Sequence, residues 1–279
     1  MTATELEIAI CTFGDEGIAR FASGNPPQLD GIRYTVHVQL PDSDAEPVVP
    51  SSIAGRDDIS IITHRTRGIA VNRNHALDAC SAPLAIITDD DVSFYPDALR
   101  GVIDDFRNRP DSDIIAYKVF CPATPKDYPE KEFTIRGGKI PKFYFFAASE
   151  LALRPDRVRR RIRFNEYFGF GTLFQGGEDD IFLVDAVKSG LRWTFVPRII
   201  ALHPTVSSGR RPDPEYALVR TKAAVALRQH PLSWPLRMCV RAIRDIRPSY
   251  CRGYTSISRY IREWMKGIRL ARKHRVFHQ

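Results

Sequence analysis

The sequence predicts an α/β fold built on a doubly wound, mostly parallel sheet. Two observations carry this. In the first 110 residues, short apolar runs alternate with stretches of helical spacing, the pattern of strands joined by crossover helices. Several of those runs also end in glycine, histidine or acidic residues, at the strand ends where such sheets bind ligands.

Each element follows from its own pattern. Residues 6–12 form an apolar strand that runs into a loop at Phe13-Gly14. Residues 32–40 alternate in part, with Tyr34, Val36, Val38 and Leu40 on one side, and form a second strand. The proline- and acid-rich stretch 41–55 is a loop, and 59–63 is a third strand. Residues 68–80 fit a helix, with Val71, Asn74, Leu77 and Asp78 at helical spacing. The apolar strand 82–88 leads into Asp89-Asp90-Asp91. A helix near 97–108 places Leu99, Val102, Ile103 and Phe106 on one face and stops before Pro110. Beyond it, 114–120 reads as a strand, 121–138 as a polar loop, 143–153 as extended, and 154–163 as an arginine-rich segment. The aromatic, glycine-rich stretch 165–177 is expected to form a flexible lip on which sugars stack. Residues 178–188 form a helix with Ile181, Val184 and Val187 inward and Gly190 at its end; 193–196 is a strand that leads through 197–202 to His203.

Composition bounds the class. The apolar and charged fractions, 43% and 27%, are those of a globular chain with an ample core. Cys11, Cys80, Cys121, Cys239 and Cys251 are scattered and form no CxxC pair, which points to reduced thiols rather than a disulfide frame or a zinc site. The first residues lack the basic segment of a signal peptide, and no run approaches the roughly 18 apolar residues of a membrane span. A cytoplasmic protein is therefore expected. The net charge of +8 is unevenly placed: residues 220–279 hold 15 lysines and arginines against two acids, a net +13, which leaves −5 for residues 1–219. An acidic body with a basic tail separates chemistry from docking.

Three points carry the chemistry. Asp89-Asp90-Asp91 follows a buried strand, where clustered hard oxygen ligands suit Mg²⁺ or Mn²⁺ bridging a diphosphate; an acidic turn is the structural alternative. On this reading Asp91 binds the ion and Asp89 contacts the ribose or base. Gly176-Gly177-Glu178-Asp179-Asp180 opens a helix. One acid there would satisfy the helix dipole, but three exceed that need, and one can act as a general base toward an acceptor hydroxyl. His203, just past a strand, is placed to join Asp91 on the metal, and a nitrogen ligand tilts the choice toward Mn²⁺. Neither GxGxxG nor GxxxxGK[ST] occurs, so the dinucleotide fingerprint and the P-loop are excluded.

Taken in order, Thr12-Phe13-Gly14, the run 71–77 with Arg73 and Asn74, Ile87 to Asp91, Gly176 to Asp180, and Val196-Pro197 to His203 resemble the family 2 glycosyltransferases and their galactosyltransferase relatives. The resemblance spans roughly residues 6–205. It implies the GT-A fold and inverting transfer of a sugar from a nucleotide-diphosphate sugar to the hydroxyl of a glycan or glycolipid acceptor, as in bacterial-type polysaccharide or glycolipid synthesis. It also implies Asp179 as base and Asp91 and His203 as ligands of Mn²⁺ or Mg²⁺. Thr12, Phe13, Gly14, Arg73, Asn74, Asp89 and Asp90 would lie around the donor, and Gly177, Glu178 and Asp180 around the acceptor. Residues 1–110 would be the nucleotide-sugar half, 111–219 the acceptor-binding and catalytic half, and 220–279 a basic helical extension. One departure stands out: family members often place an acid against the nucleobase at the end of the second strand, and here that stretch reads Val38-Gln39-Leu40-Pro41-Asp42. Phe164, Tyr167, Phe168, Phe170 and Trp193 offer faces for sugar rings, with burial in the core as the alternative for most of them.

Two other classes compete. A metal-dependent nucleotidyl or phosphoryl transferase also wants clustered aspartates, and would release a nucleoside monophosphate or pyrophosphate. A nucleic-acid-binding protein would explain the basic tail, but no such motif occurs and the body is acidic, so no nucleic-acid partner is expected. In the tail, Ile257, Tyr260, Ile261, Trp264 and Ile268 share one helix face. That stripe either packs on the domain or lies on an anionic membrane surface, making residues 255–279 a peripheral anchor on the cytoplasmic membrane face.

Overall fold

The computed structural model describes residues 3–42, 44–123, 125–136, 146–204, 212–247 and 253–276. The described residues form one nine-stranded sheet. Its first half is parallel: β1 (Leu6–Phe13) lies between β2 (Ile32–Gln39) and β4 (Leu84–Asp89), and β3 (Ile59–His64) flanks β2. Beyond β4 the order continues β8 (Leu151–Leu153), β6 (Ile114–Phe120), β9 (Arg192–Leu202) and β5 (Ser93–Phe94), while β7 (Phe133–Arg136) pairs with β9. β8 is antiparallel to both neighbours, so it joins two parallel blocks.

β1 is buried on both faces up to Thr12, and its alternate residues feed two cores. Ile8 and Ile10 meet Ile18 and Phe21 of α1 (Gly14–Ser23) and Leu99, Val102 and Phe106 of α3 (Pro96–Asn108). Ala9 and Cys11 meet Ala76 and Leu77 of α2 (Ile69–Ala79), Val158 of α4 (Pro155–Arg159) and Phe182 and Leu183 of α5 (Glu178–Lys188). The sheet is therefore wound on both faces, as its strand-and-helix pattern predicts. Glu7, fully buried in β1, is matched by Arg33, whose Nη2 lies 2.9 Å away, and by Thr35 Oγ1 at 2.8 Å. A buried carboxylate needs such partners.

Several elements differ from expectation. The loop expected after Phe13 is α1, entered directly from the strand through Gly14 at φ +70°. β5, β7 and α4 were not expected. The extended reading of 143–153 holds at β8, but Ala148–Glu150 is a 3₁₀ turn and 143–145 lie outside the described residues. Of the proposed sugar-stacking aromatics, Phe164, Phe168 and Trp193 are core, whereas Phe170 is half exposed.

The C-terminal part is helical. α6 (Ala217–Gln229), α7 (Trp234–Asp245) and α8 (Ile257–Lys273) form a third core with Phe168, Phe174 and Ile181. Asp245, fully buried, ties all three helices: Lys222 Nζ of α6 lies 2.5 Å away and Tyr260 OH of α8 donates at 3.0 Å. Tyr260, Trp264 and Ile268 are buried, leaving Ile257 and Ile261 exposed. The centre of the α8 stripe is thus used by the fold, the first of the two alternatives that its periodicity leaves open. No described helix is long and apolar enough to cross a membrane.

Candidate active site

A cavity of about 1190 Å³ opens beyond the carboxyl ends of β1, β2 and β4. Thr12 and Phe13 line it from β1, Gln39 from β2, and Asp89, Asp90 and Asp91 from β4 and the turn after it. The opposite wall is Gly176 to Asp180, with His203 just past β9. Gly176 and Gly177 have φ of +96° and +88°, a left-handed pair that aims the first turn of α5 into the cavity and that non-glycine residues reach only under strain.

Asp91 and His203, 112 positions apart in sequence, meet here: His203 Nε2 lies 3.4 Å from Asp91 Oδ1, both side chains partly open to the cavity. Two donors on adjacent octahedral positions, each about 2.1 Å from one ion, lie roughly 3 Å apart, so the pair fits a single Mn²⁺ or Mg²⁺. Among the described residues, no group of three or more His, Cys, Asp or Glu could hold a metal ion. An ion bound by this pair therefore takes further ligands from substrate or water.

The other acids are arranged by Arg73. Its guanidinium, 4% exposed, gives Nη1 to Asp179 Oδ1 at 2.6 Å and to Glu178 Oε1 at 3.2 Å, and Nη2 to Asp89 Oδ1 at 3.0 Å. One cation thus joins the β4 acids to the α5 acids, and the Ala148 amide also donates to Asp179. Asp90 accepts from Thr12 Oγ1 and is gripped by Arg20, with Nε and Nη2 each at 3.0 Å. Burial pushes Glu178 up to about 7, helped by the charge of Asp179 and opposed by Arg73. Asp179 is also raised by burial, against Arg73. Asp180 lines the cavity yet is open to solvent; the surrounding protein and Asp179 raise it, against Arg241, and its access to water moderates that shift.

Most expected residues meet in this cavity; two do not line it. Asn74 is buried between elements, donating to Phe164 O and Glu166 Oε1 at 2.9 Å each and accepting from the Phe164 amide, so it positions the 164–166 segment rather than a donor. Gly14 serves the turn into α1. Asp42 pairs with Arg67 at 2.5 Å, and Arg67 lies 5.3 Å from the centre of the Phe13 ring. At the place of the expected base-contacting acid stands Gln39, whose amide donates to Thr66 Oγ1 at 3.1 Å.

Sequence reasoning missed other cavity residues. Arg20 lies on the unexpected α1. Lys126 and Tyr128, in a stretch read only as polar loop, both bond buried Glu150, with Lys126 Nζ 2.7 Å away. Lys222 and Arg241 reach the cavity from the C-terminal helices. Their positive charge was visible, but not its direction.

Residues 42–173 match the glycosyl transferase family 2 model. Three solved structures of Staphylococcus aureus TarS share the fold. TarS 1-349 in complex with UDP-GlcNAc gives a TM-score of 0.61 at 14% identity, covering 96% of this chain and 80% of that one. Its complex with UDP gives 0.58 at 14%, with 95% and 81% covered. The longer TarS chain gives 0.59 at 16%, with 98% and 50% covered. Over residues 42–173 the chain is thus similar to the family 2 glycosyltransferases, and its fold is the GT-A fold. No curated protein matches the chain. The family match ends before Gly176 and so does not reach Asp179 or His203.

Proposed function

We propose that the protein is an inverting glycosyltransferase that moves a sugar from a nucleotide-diphosphate sugar to a hydroxyl of a glycan or glycolipid acceptor. The observation that carries this is the meeting, in one cavity, of the Asp91–His203 pair with Asp179 on the facing helix. The TarS complexes with UDP-GlcNAc and UDP support a nucleotide-sugar donor.

Asp91 and His203 would hold a divalent cation, which supplies charge to the leaving diphosphate. Phe13, half exposed at the cavity rim, would offer a ring face to the nucleobase, and Asp89, which lines the same cavity, would contact the ribose. Asp179 takes the proton of the acceptor hydroxyl. The acceptor oxygen then bonds to the anomeric carbon from the face opposite the diphosphate, and the bond to the diphosphate breaks with its electron pair. One displacement inverts the centre. Arg73 holds the Asp179 carboxylate in place, while Glu178 and Asp180 are placed for hydroxyls of the substrates. The reading fits a cytoplasmic enzyme of polysaccharide or glycolipid synthesis, in keeping with the free thiols of Cys11, Cys80, Cys121 and Cys239.

The test is a screen of sugar nucleotides for Mn²⁺-dependent release of nucleoside diphosphate. Release from at least one, lost in Asp179→Asn, is expected. Release of nucleoside monophosphate or pyrophosphate instead would overturn it.

A further inference from the structure

The turn before α7 and α7 itself carry four large apolar side chains in water: Leu232 is 97% exposed, Leu236 68%, Val240 59% and Ile243 61%. Within the helix, 236, 240 and 243 share one face by spacing. The opposite face is where α7 meets the third core, through Trp234, Met238 and Ala242, with Asp245 buried beside them. Folding therefore leaves the outer stripe unused. Arg237 and Arg244 lie along its flank and Arg247 follows beyond the helix end, all three exposed.

We propose that α7 is an interfacial helix that seats the protein on an anionic lipid surface. Leu232, Leu236, Val240 and Ile243 would enter the headgroup–acyl boundary, and Arg237, Arg244 and Arg247 would meet lipid phosphates. Charge selects this occupant. The extension from 220 onward is +13, which suits a surface of fixed negative charge. A second copy is disfavoured, because a two-fold contact sets the same patch against itself and would oppose two rows of arginine. The helix also borders the candidate active site: Arg241 lines the cavity and its charge bears on Asp180. An acceptor carried in the leaflet would thus arrive beside the acids of α5. That delivery rests on the glycosyl-transfer reading; the membrane contact does not.

The test is co-sedimentation of the full chain with vesicles of phosphatidylcholine alone or mixed with phosphatidylglycerol, at low and high salt. Wild type is expected to bind the mixed vesicles at low salt. Leu236→Glu with Val240→Glu, at positions already in water, should keep the wild-type melting temperature and lower partitioning by roughly tenfold or more. Arg237→Gln with Arg247→Gln should weaken the preference for the anionic lipid. Wild type left in the supernatant, or a glutamate variant that binds as wild type does, overturns the proposal. So does a concentration-dependent dimer abolished by the glutamates with no vesicle binding, which would assign the stripe to self-association. Release of nucleoside diphosphate from a soluble donor is scored separately, so failure of either reading is told from failure of the other.

Discussion

Arg73 holds the acids around it in one network, because a single guanidinium serves Asp89, Glu178 and Asp179. Glu178 holds its proton up to about 7, above its ordinary 4.5. A carboxyl raised in the folded state contributes stability that is fully present below its unfolded pKa and is lost as pH rises through the folded one. Glu178→Gln should therefore gain stability relative to wild type between about pH 5 and about pH 8, by at most about 3 kcal/mol. Urea midpoints at the two pH values measure this; an offset that does not change with pH would show that Glu178 does not titrate there. Asp179→Asn should keep donor binding and lose transfer by roughly 10²–10⁴. A comparable loss of donor affinity in calorimetry would make Asp179 a binding group instead. His203→Ala should raise the Mn²⁺ needed for half-maximal release by roughly tenfold, the equivalent of about 1.4 kcal/mol. An unchanged titration removes His203 from the metal. At this scale the sequence shows which residue types cluster at strand ends, hence the acid triplet, the α5 acids and His203. It does not show which donors are already used. Arg73 and Asn74 read alike as donor ligands, yet one is clasped by three carboxylates and the other by the 164–166 backbone and Glu166.

Elements were legible where their period was long enough to read. α2, α3 and α5 lie within two residues of their expected bounds. α1 was hidden because β1 passes into it at Gly14 without a linker, and a glycine there reads as a loop. β7, four residues pairing along β9, is too short to show alternation. β9 reads as two pieces because Pro197 interrupts it; the structure keeps one strand and takes up the missing amide in an irregular register, where Ala116 pairs Phe195 but Lys118 pairs Ile199. The α6–α8 contact depends on Gly267, where an added Cβ would lie 2.3 Å from the Arg220 carbonyl oxygen. Gly267→Ala should therefore cost about 1–3 kcal/mol by forcing the helices apart. Denaturant unfolding measures it, and a neutral or stabilising result would mean that the helices separate freely.

For the whole molecule, the sequence shows a basic extension on an acidic body but leaves open whether the last helix belongs to the fold. Its stripe at 260, 264 and 268 fits a bilayer or a protein face equally, because periodicity records one apolar side and not what covers it. In the structure that side lies in the third core with Val219, Ala223 and Leu227 of α6, and Arg220 of α6 pairs with Glu263 of α8 at 2.7 Å. Burying Tyr260, Trp264 and Ile268 contributes about 1.5–3 kcal/mol each, together a large share of the roughly 5–15 kcal/mol that holds a domain folded. Deleting residues 255–279 should therefore do more than remove charge: it uncovers the outer face of α6 and takes the Tyr260 hydroxyl from buried Asp245. The truncated chain is expected to melt well below the full chain and to expose apolar surface to a dye such as ANS. If it melts with the full chain, α8 is an appendage and its stripe is free for another partner. If it is destabilised as expected, loss of membrane binding on truncation says nothing about α8 itself, and the point substitutions on α7 decide where the protein meets lipid.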